Sequence, residues 1–199
     1  MTSPRRTAAV GGALLIGIAL CIAGAAAREV FLSPPSRDRA AAAVRGFGEL
    51  IAYEVWDGVP HAVVRERHGP RGTPRVLFDH LRVDPISIEW PPIPAWQLTG
   101  AWYYMDATDA PASLGVARCT GIFGEGCDKE TELFGQVNAP EIVALEVLVE
   151  GAWRRYPVSP PGFAVRLDGV RGRPNDYRWL DGAGRIIWTA AQAPSRVGP

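Results

Sequence analysis

Lysine is nearly missing from this chain. Of its 21 basic residues only Lys129 is lysine and the rest are arginine. With the abundance of Ala, Gly and Pro, that bias points to genomic codon usage rather than to a site. The formal charge is zero, and without Arg5 and Arg6 the remainder carries 19 basic against 21 acidic residues, a net of −2. A chain so balanced has no basic patch for nucleic acid or for an anionic membrane surface. Cysteine and histidine are scarce too, at three each. No GxSxG elbow, SxxK, HExxH, CxxC pair or GxxxxGK[ST] loop occurs, so the common local signatures of hydrolase, zinc and phosphate chemistry are absent. Repeats, low-complexity blocks and a domain linker are also missing.

The N-terminus holds the longest apolar run. MTSPRR is followed by Thr7–Ala27 without one charge. A helix of 21 residues rises roughly 30 Å, enough to cross the hydrocarbon core. Arg5 and Arg6 keep the leading end cytoplasmic and send the rest outside. An apolar stretch on all faces is a membrane span rather than a core helix. Ala25-Ala26-Ala27 also fits a small-x-small cleavage site, and Ala13–Gly24 alone is of signal-peptide length. The length of the whole run favours a retained anchor; secretion after cleavage at Ala27 is the alternative. A lipoprotein built on Cys21 fits less well, because bulky Leu20 precedes it.

Outside the cytosol, Cys119 and Cys127 are an even pair in an oxidising compartment, where a disulfide is expected. Zinc would need two further ligands that no nearby pattern supplies. In CTGIFGEGC the glycines 121, 124 and 126 let the loop reverse. Closing so short a loop should contribute about 2.5 kcal/mol on the chain-entropy estimate.

From Arg28 onward 172 residues remain, enough for one domain that buries about 70% of its unfolded surface. Ser36 can cap a helix over Arg37 to Leu50, where Val44, Phe47 and Ile51 follow helical spacing, although Gly46 and Gly48 weaken it. A solvated stalk is the other reading of this segment. The boundaries expected are an anchor or signal peptide over 1–27, a juxtamembrane stalk or helix over 28–50, and an extracytoplasmic β domain over 51–199.

Beyond Ile51 the period is two. Val143, Leu145, Val147 and Val149 point one way, as do Phe163, Val165 and Leu167. Asp57-Gly58, Asp168-Gly169, Asp181-Gly182 and Glu150-Gly151 are turn signals between such runs. The final YRWLDGAGRIIW is a hairpin with a four-residue loop. Nine to twelve short strands without helical crossovers predict an all-β fold, an antiparallel β-sandwich of Ig-like architecture.

LFGQVNAPEIVALEVLVEGAWRRYPV, then PGFAVRL and a terminal WLDGAGRIIW, resembles uncharacterised membrane-anchored extracytoplasmic proteins of Gram-positive bacteria. Those proteins look similar in layout, with a membrane segment, an early hairpin, a Trp-bearing middle and a strand opening with F-G-x-(V/I)-N-x-P-x-I. The match is clearest over the last third, and its elements are turn and strand residues. It implies a secreted or anchored β domain, and carries no activity or catalytic residue across. Read from the residues alone, Gly135–Pro140 shapes a turn, with Asn138 bonding its own backbone.

Candidate chemistry is sparse. His61 and His68 lie seven apart, which puts them on opposite faces of a strand, and Asp79 and His80 face apart as neighbours. All three histidines, with His80, are expected at the surface or in turns. Glu125, Asp128, Glu130 and Glu132 form a solvated acidic rim by the cysteine loop, without the glycine an EF-hand needs. Trp90, Trp96 and Trp102 recur every six residues, with Tyr103 and Tyr104 following. They are the candidate ligand-binding residues, an exposed aromatic platform for glycan or peptide. The competing reading makes Trp core filler, as Trp153, Trp179 and Trp188 on strands suggest.

No cofactor and no metal ligand set is read from these patterns. The function expected is a non-enzymatic, single-pass membrane module with a binding or structural role in the cell envelope. Its partners would be the membrane, through Thr7–Ala27, and an envelope protein or cell-wall glycan. The alternatives are a glycan-binding aromatic platform and a secreted hydrolase with dispersed His and carboxylate residues.

Overall fold

The computed structural model describes residues 33–67, 72–84, 95–98, 103–118, 131–170, 174 and 176–192. The expectations placed on Thr7–Ala27, the Cys119–Cys127 pair, Trp90, Trp102, His68, Glu125, Asp128 and Glu130 lie outside the described residues. No helix among the described residues is long and apolar enough to cross a membrane.

Ser36 caps helix α1 (Arg37–Val44), its side chain accepting from the Arg39 N–H. The helix stops six residues before the expected Leu50. Strand β1 (Gly48–Trp56) begins instead at Gly48, paired with Glu66 of β2 (Val59–Glu66). A Cβ at Gly48 would lie 2.1 Å from the Arg65 carbonyl oxygen, so this glycine serves a close strand pairing and does not belong to a helix. Ala40 and Val44 are fully buried, and the Tyr53 hydroxyl donates to the Pro35 carbonyl. The helix is therefore packed onto the body and is not a solvated stalk.

The antiparallel all-β expectation holds, and the strands divide into three sheets. The first runs β1-β2-β3-β4, with β3 at Arg75–Asp84 and β4 at Ala95–Leu98; β5 (Tyr103–Asp106) also pairs with β3. The second is β10-β7-β6, with β6 at Gly115–Arg118, β7 at Thr131–Gln136 and β10 at Gly162–Leu167. The third is β12-β11-β8-β9, from Ala144–Val149 (β8), Ala152–Pro157 (β9), Asp176–Leu180 (β11) and Ile186–Thr189 (β12), and a short 3-10 turn over Ala190–Gln192 follows.

The turn signals are used as their chemistry demands. Asp57-Gly58 (φ 50° and 78°) and Glu150-Gly151 (φ 49° and 81°) both take the doubly positive φ of type I′ hairpins, whose twist matches that of paired strands. The last hairpin has five loop residues, 181–185, rather than four, since its closing pair is Leu180 and Ile186, reached through a register shift between Trp179 and Leu180. Asp181 organises that loop. Its Oδ1 accepts from the Ala183 and Arg185 N–H groups at 2.9 and 2.8 Å, and its Oδ2 from Arg185 Nε at 2.7 Å.

These bonds, the Arg185 backbone N–H foremost, hold the Asp181 carboxyl below its ordinary value of 3.8. A carboxylate so depressed stabilises the fold above the ordinary value, and that stabilisation is lost as pH falls through the lowered one. Thermal melts of the wild type and Asp181→Asn should therefore differ by a constant Tm gap at neutral pH. The gap should narrow once pH falls below 3.8. A gap independent of pH down to full protonation would exclude a charge contribution.

Three apolar clusters follow from the sheets. Ala40 and Val44 of α1 cover Ala62, Val64, Leu77 and Leu81 on the outer face of the first sheet. On its inner face, Ile51, Val63, Val76 and Phe78 meet Ala117, Phe134 and Ala164 of the second. The second sheet turns Leu133, Phe163, Val165 and Leu167 to the third, where Leu145, Val147, Val149 and Trp179 receive them. The β10-β7-β6 sheet is thus covered on both faces, and all six residues of β7 are buried. Burial on two faces replaces the single apolar face that the alternation suggested.

Candidate functional site

The chemistry gathers where the first and second sheets meet. β2 and β3 form a hairpin in which His61 pairs directly with His80 and Glu66 with Arg75. Directly opposed residues point to the same face, so both imidazoles lie on the inner face with Val63 and Phe78. Across the interface Phe78 stacks on Phe134, with ring centroids 5.1 Å apart. Glu132 lies two residues before Phe134 on β7 and therefore on the same face. Pleat and register alone thus bring two histidines and a carboxylate together from three strands. One ligand atom from each lies within 4.8 Å of the other two.

His61 is held tightly. It is 3% exposed, its ring lies 4.4 Å from that of Trp56 and 4.4 Å from that of His80, and its Nδ1 lies 2.8 Å from the Val59 carbonyl oxygen. A carbonyl only accepts, so Nδ1 carries the proton of that bond and donates it. Nε2 then faces Glu132 Oε1 at 3.5 Å. Glu132 is itself 8% exposed, so its charge needs compensation from close by. Arg166 of β10, the register partner of Glu132, pairs with Asp57 and Asp168 and lies over the Trp56 ring. Glu54 opposes His61 on β1. Its side chain is exposed, yet packing removes enough water to raise its carboxyl above the ordinary range, while Arg37 pulls it down.

One open depression of about 410 Å³ adjoins this cluster, lined by Gly58, Val59, Pro60, His80 and Leu81. His80 belongs to both the buried cluster and the wall of the depression, and so links the interior to solvent.

The placement of histidines at the surface or in turns is corrected for His61, which is buried, and for His80, which is half-buried. Comparing positions along one strand could not see a pairing across a hairpin. A signal was present, since HAVVRE and RVLFDH are mirror-related about their connection, with the histidines at the far ends. Glu132 likewise leaves the expected acidic rim, because it lies inside β7 between two packed sheets.

Among the aromatic candidates, Tyr103 and Tyr104 are the two whose side chains are described, and they point to opposite faces of β5. Tyr103 pairs with Phe78 and packs in the core, whereas Tyr104 pairs with Leu77, points to the opposite face, is 60% exposed and carries the Arg75 guanidinium over its ring. The Trp96 backbone pairs with Val83 in β4. Trp179 is core filler as expected, but Trp153 is exposed on the edge strand β9, where the Arg178 guanidinium stacks 4.1 Å from its ring. Asn138 bonds the Thr108 and Ala110 carbonyls at 2.8 and 2.7 Å, and so ties down the preceding loop rather than its own turn.

Compared with known proteins, the chain matches no family model, no curated protein and no solved structure.

Proposed function

We propose that this chain is a membrane-tethered module of the bacterial cell envelope with a binding or structural task, akin in layout to the Gram-positive extracytoplasmic proteins its last third resembles. Thr7–Ala27 spans the membrane, Arg5 and Arg6 stay inside, and the β body stands outside with Cys119 and Cys127 bonded to each other. The observation that carries this reading is an uncharged run of 21 residues directly behind two arginines and ahead of an all-β body. The packing of β10-β7-β6 on β12-β11-β8-β9, three strands on four, supports an Ig-like reading of that part of the body. The ligand is an envelope protein or a cell-wall glycan, and exposed Tyr104 is a contact of the kind a glycan uses.

Non-reducing mass spectrometry of the protein from intact cells tests this together with a reporter fused to the tail. The expected result is a mass that includes residues 1–27, oxidised cysteines at 119 and 127, and a reporter reached by protease added outside. A chain beginning at Arg28 would make the protein secreted, and a reporter protected in the cytosol would overturn the reading. A second reading, a hydrolase, is favoured by one finding: the meeting of His61, His80 and Glu132, the dispersed histidine and carboxylate constellation that such an enzyme would need.

A further inference from the structure

We infer that His61, His80 and Glu132 form a binding site for a divalent transition ion of the zinc class, an inference that holds whether the module binds or hydrolyses its ligand. The donor set is the first ground. Two imidazoles and one carboxylate, each offering an atom within 4.8 Å of the others, suit zinc and its neighbours rather than calcium or magnesium, which prefer all-oxygen shells.

The second ground is the hydrogen bonding of His61. Its Nδ1 proton is committed to the Val59 carbonyl, the support that metal-ligating histidines usually have, and this leaves the Nε2 lone pair aimed at Glu132. Two acceptors facing each other in a buried site repel unless a proton or a cation lies between them. A charge-assisted N–H···O bond closes to about 2.7–2.9 Å. The observed separation is 3.5 Å, whereas two ligands bound at about 2.0–2.1 Å in a tetrahedral shell stand roughly 3.3 Å apart. The spacing therefore suits an ion between the groups better than a proton.

The third ground is access. His80 also lines the open depression beside Gly58 and Pro60. Three protein ligands leave a position for water or for an anionic group of a ligand arriving by that route, as in zinc sites that keep an open position. The Trp56 and Phe78 rings pack on His61, and Phe134 on Phe78, which excludes water from that side of the cluster and strengthens the ligand bonds there. No local motif shows the full donor set, because its members are separated by 18 and 51 intervening residues in the chain.

The test uses the full-length chain in detergent, stripped with a chelator and titrated with Zn²⁺, and with Co²⁺ as a visible-absorption probe. One equivalent of zinc should bind, with cobalt giving the strong visible bands of a low-coordinate site. His80→Ala and Glu132→Gln should each weaken zinc binding by at least roughly 100-fold, the upper range for losing even a supporting residue. Because His61 is buried and its loss threatens the fold, the rim residue His80 is the primary variant, and the isosteric Glu132→Gln is the second. Circular dichroism and Tm without metal confirm that both stay folded. The Cys119→Ser/Cys127→Ser variant should keep its zinc. The inference is overturned if the folded wild type takes up no stoichiometric zinc, if both variants bind as tightly as the wild type, or if the serine variant loses the ion.

Discussion

Replacing Trp179 with alanine should cost about 3–5 kcal/mol of folding stability, the range for truncating a large aromatic in a packed core. Trp179 is fully buried in the cluster between the second and third sheets, edge-on to Phe163 at 5.3 Å and to Tyr177 at 6.3 Å. It lies on β11 between β8 and β12, so the cavity would open at the centre of a sheet with no free edge to collapse into. Set against the roughly 5–15 kcal/mol of a typical domain, the loss is a large share of the total. Trp179→Phe should cost much less. It keeps the ring contact with Phe163, and the indole N–H it removes finds no acceptor among the described residues. Urea unfolding of the three proteins measures both differences, and an alanine variant within 1 kcal/mol of wild type, on the scale of a surface substitution, would contradict the packing described.

Gly135→Ala should be as damaging for the opposite reason, too much matter rather than too little. A Cβ there would lie 2.0 Å from the Ser113 carbonyl oxygen and 2.8 Å from the Phe163 ring. The nearer obstacle is backbone, which cannot swing aside as a side chain does, and the Ser113 N–H is itself bonded to the Gln136 carbonyl at 3.0 Å. Relief requires β7 to shift against its neighbours. We expect a loss at or beyond the upper end of the roughly 1–3 kcal/mol typical of overpacking. Gly46→Ala is the control, since nothing lies within 4 Å of its added carbon. It should be neutral or slightly stabilising by stiffening the unfolded chain. Because Glu132 is on the same strand, Gly135→Ala should also weaken zinc binding in any fraction that folds, which a metal titration of the refolded protein can read. Equal stability of the two alanine variants would refute the close approach at Gly135.

What could be seen in the sequence was what local chemistry decides. The Asp57-Gly58 and Glu150-Gly151 pairs announced their hairpins because only a few residues accept two successive positive φ values. The stripe of Leu145, Val147 and Val149 announced a strand face, and Ser36 announced a helix start. Hidden were the features decided by distant partners. TELFGQ of β7 has only two strongly apolar residues, so it gave no sign of complete burial. Two of its polar members are matched from far along the chain, the Thr131 hydroxyl by the Val170 carbonyl at 2.9 Å and Gln136 by the Thr108 carbonyl, while Glu132 faces His61 across the interface. The same limit hid the candidate site. The pairing of His61 with His80 depends on how the connection between β2 and β3 closes, which no residue within either strand dictates.

The docking of α1 against the first sheet also sets a distance. With Ser36 capping the helix and Tyr53 holding Pro35, seven residues, 28–34, remain between Ala27 and the folded body. Fully stretched, they span at most roughly 25 Å. If Thr7–Ala27 is the membrane anchor proposed above, this is a short leash that would keep the body close to the lipid headgroups. A target would then have to come to the bilayer, and one in the outer layers of a thick wall would stay out of reach.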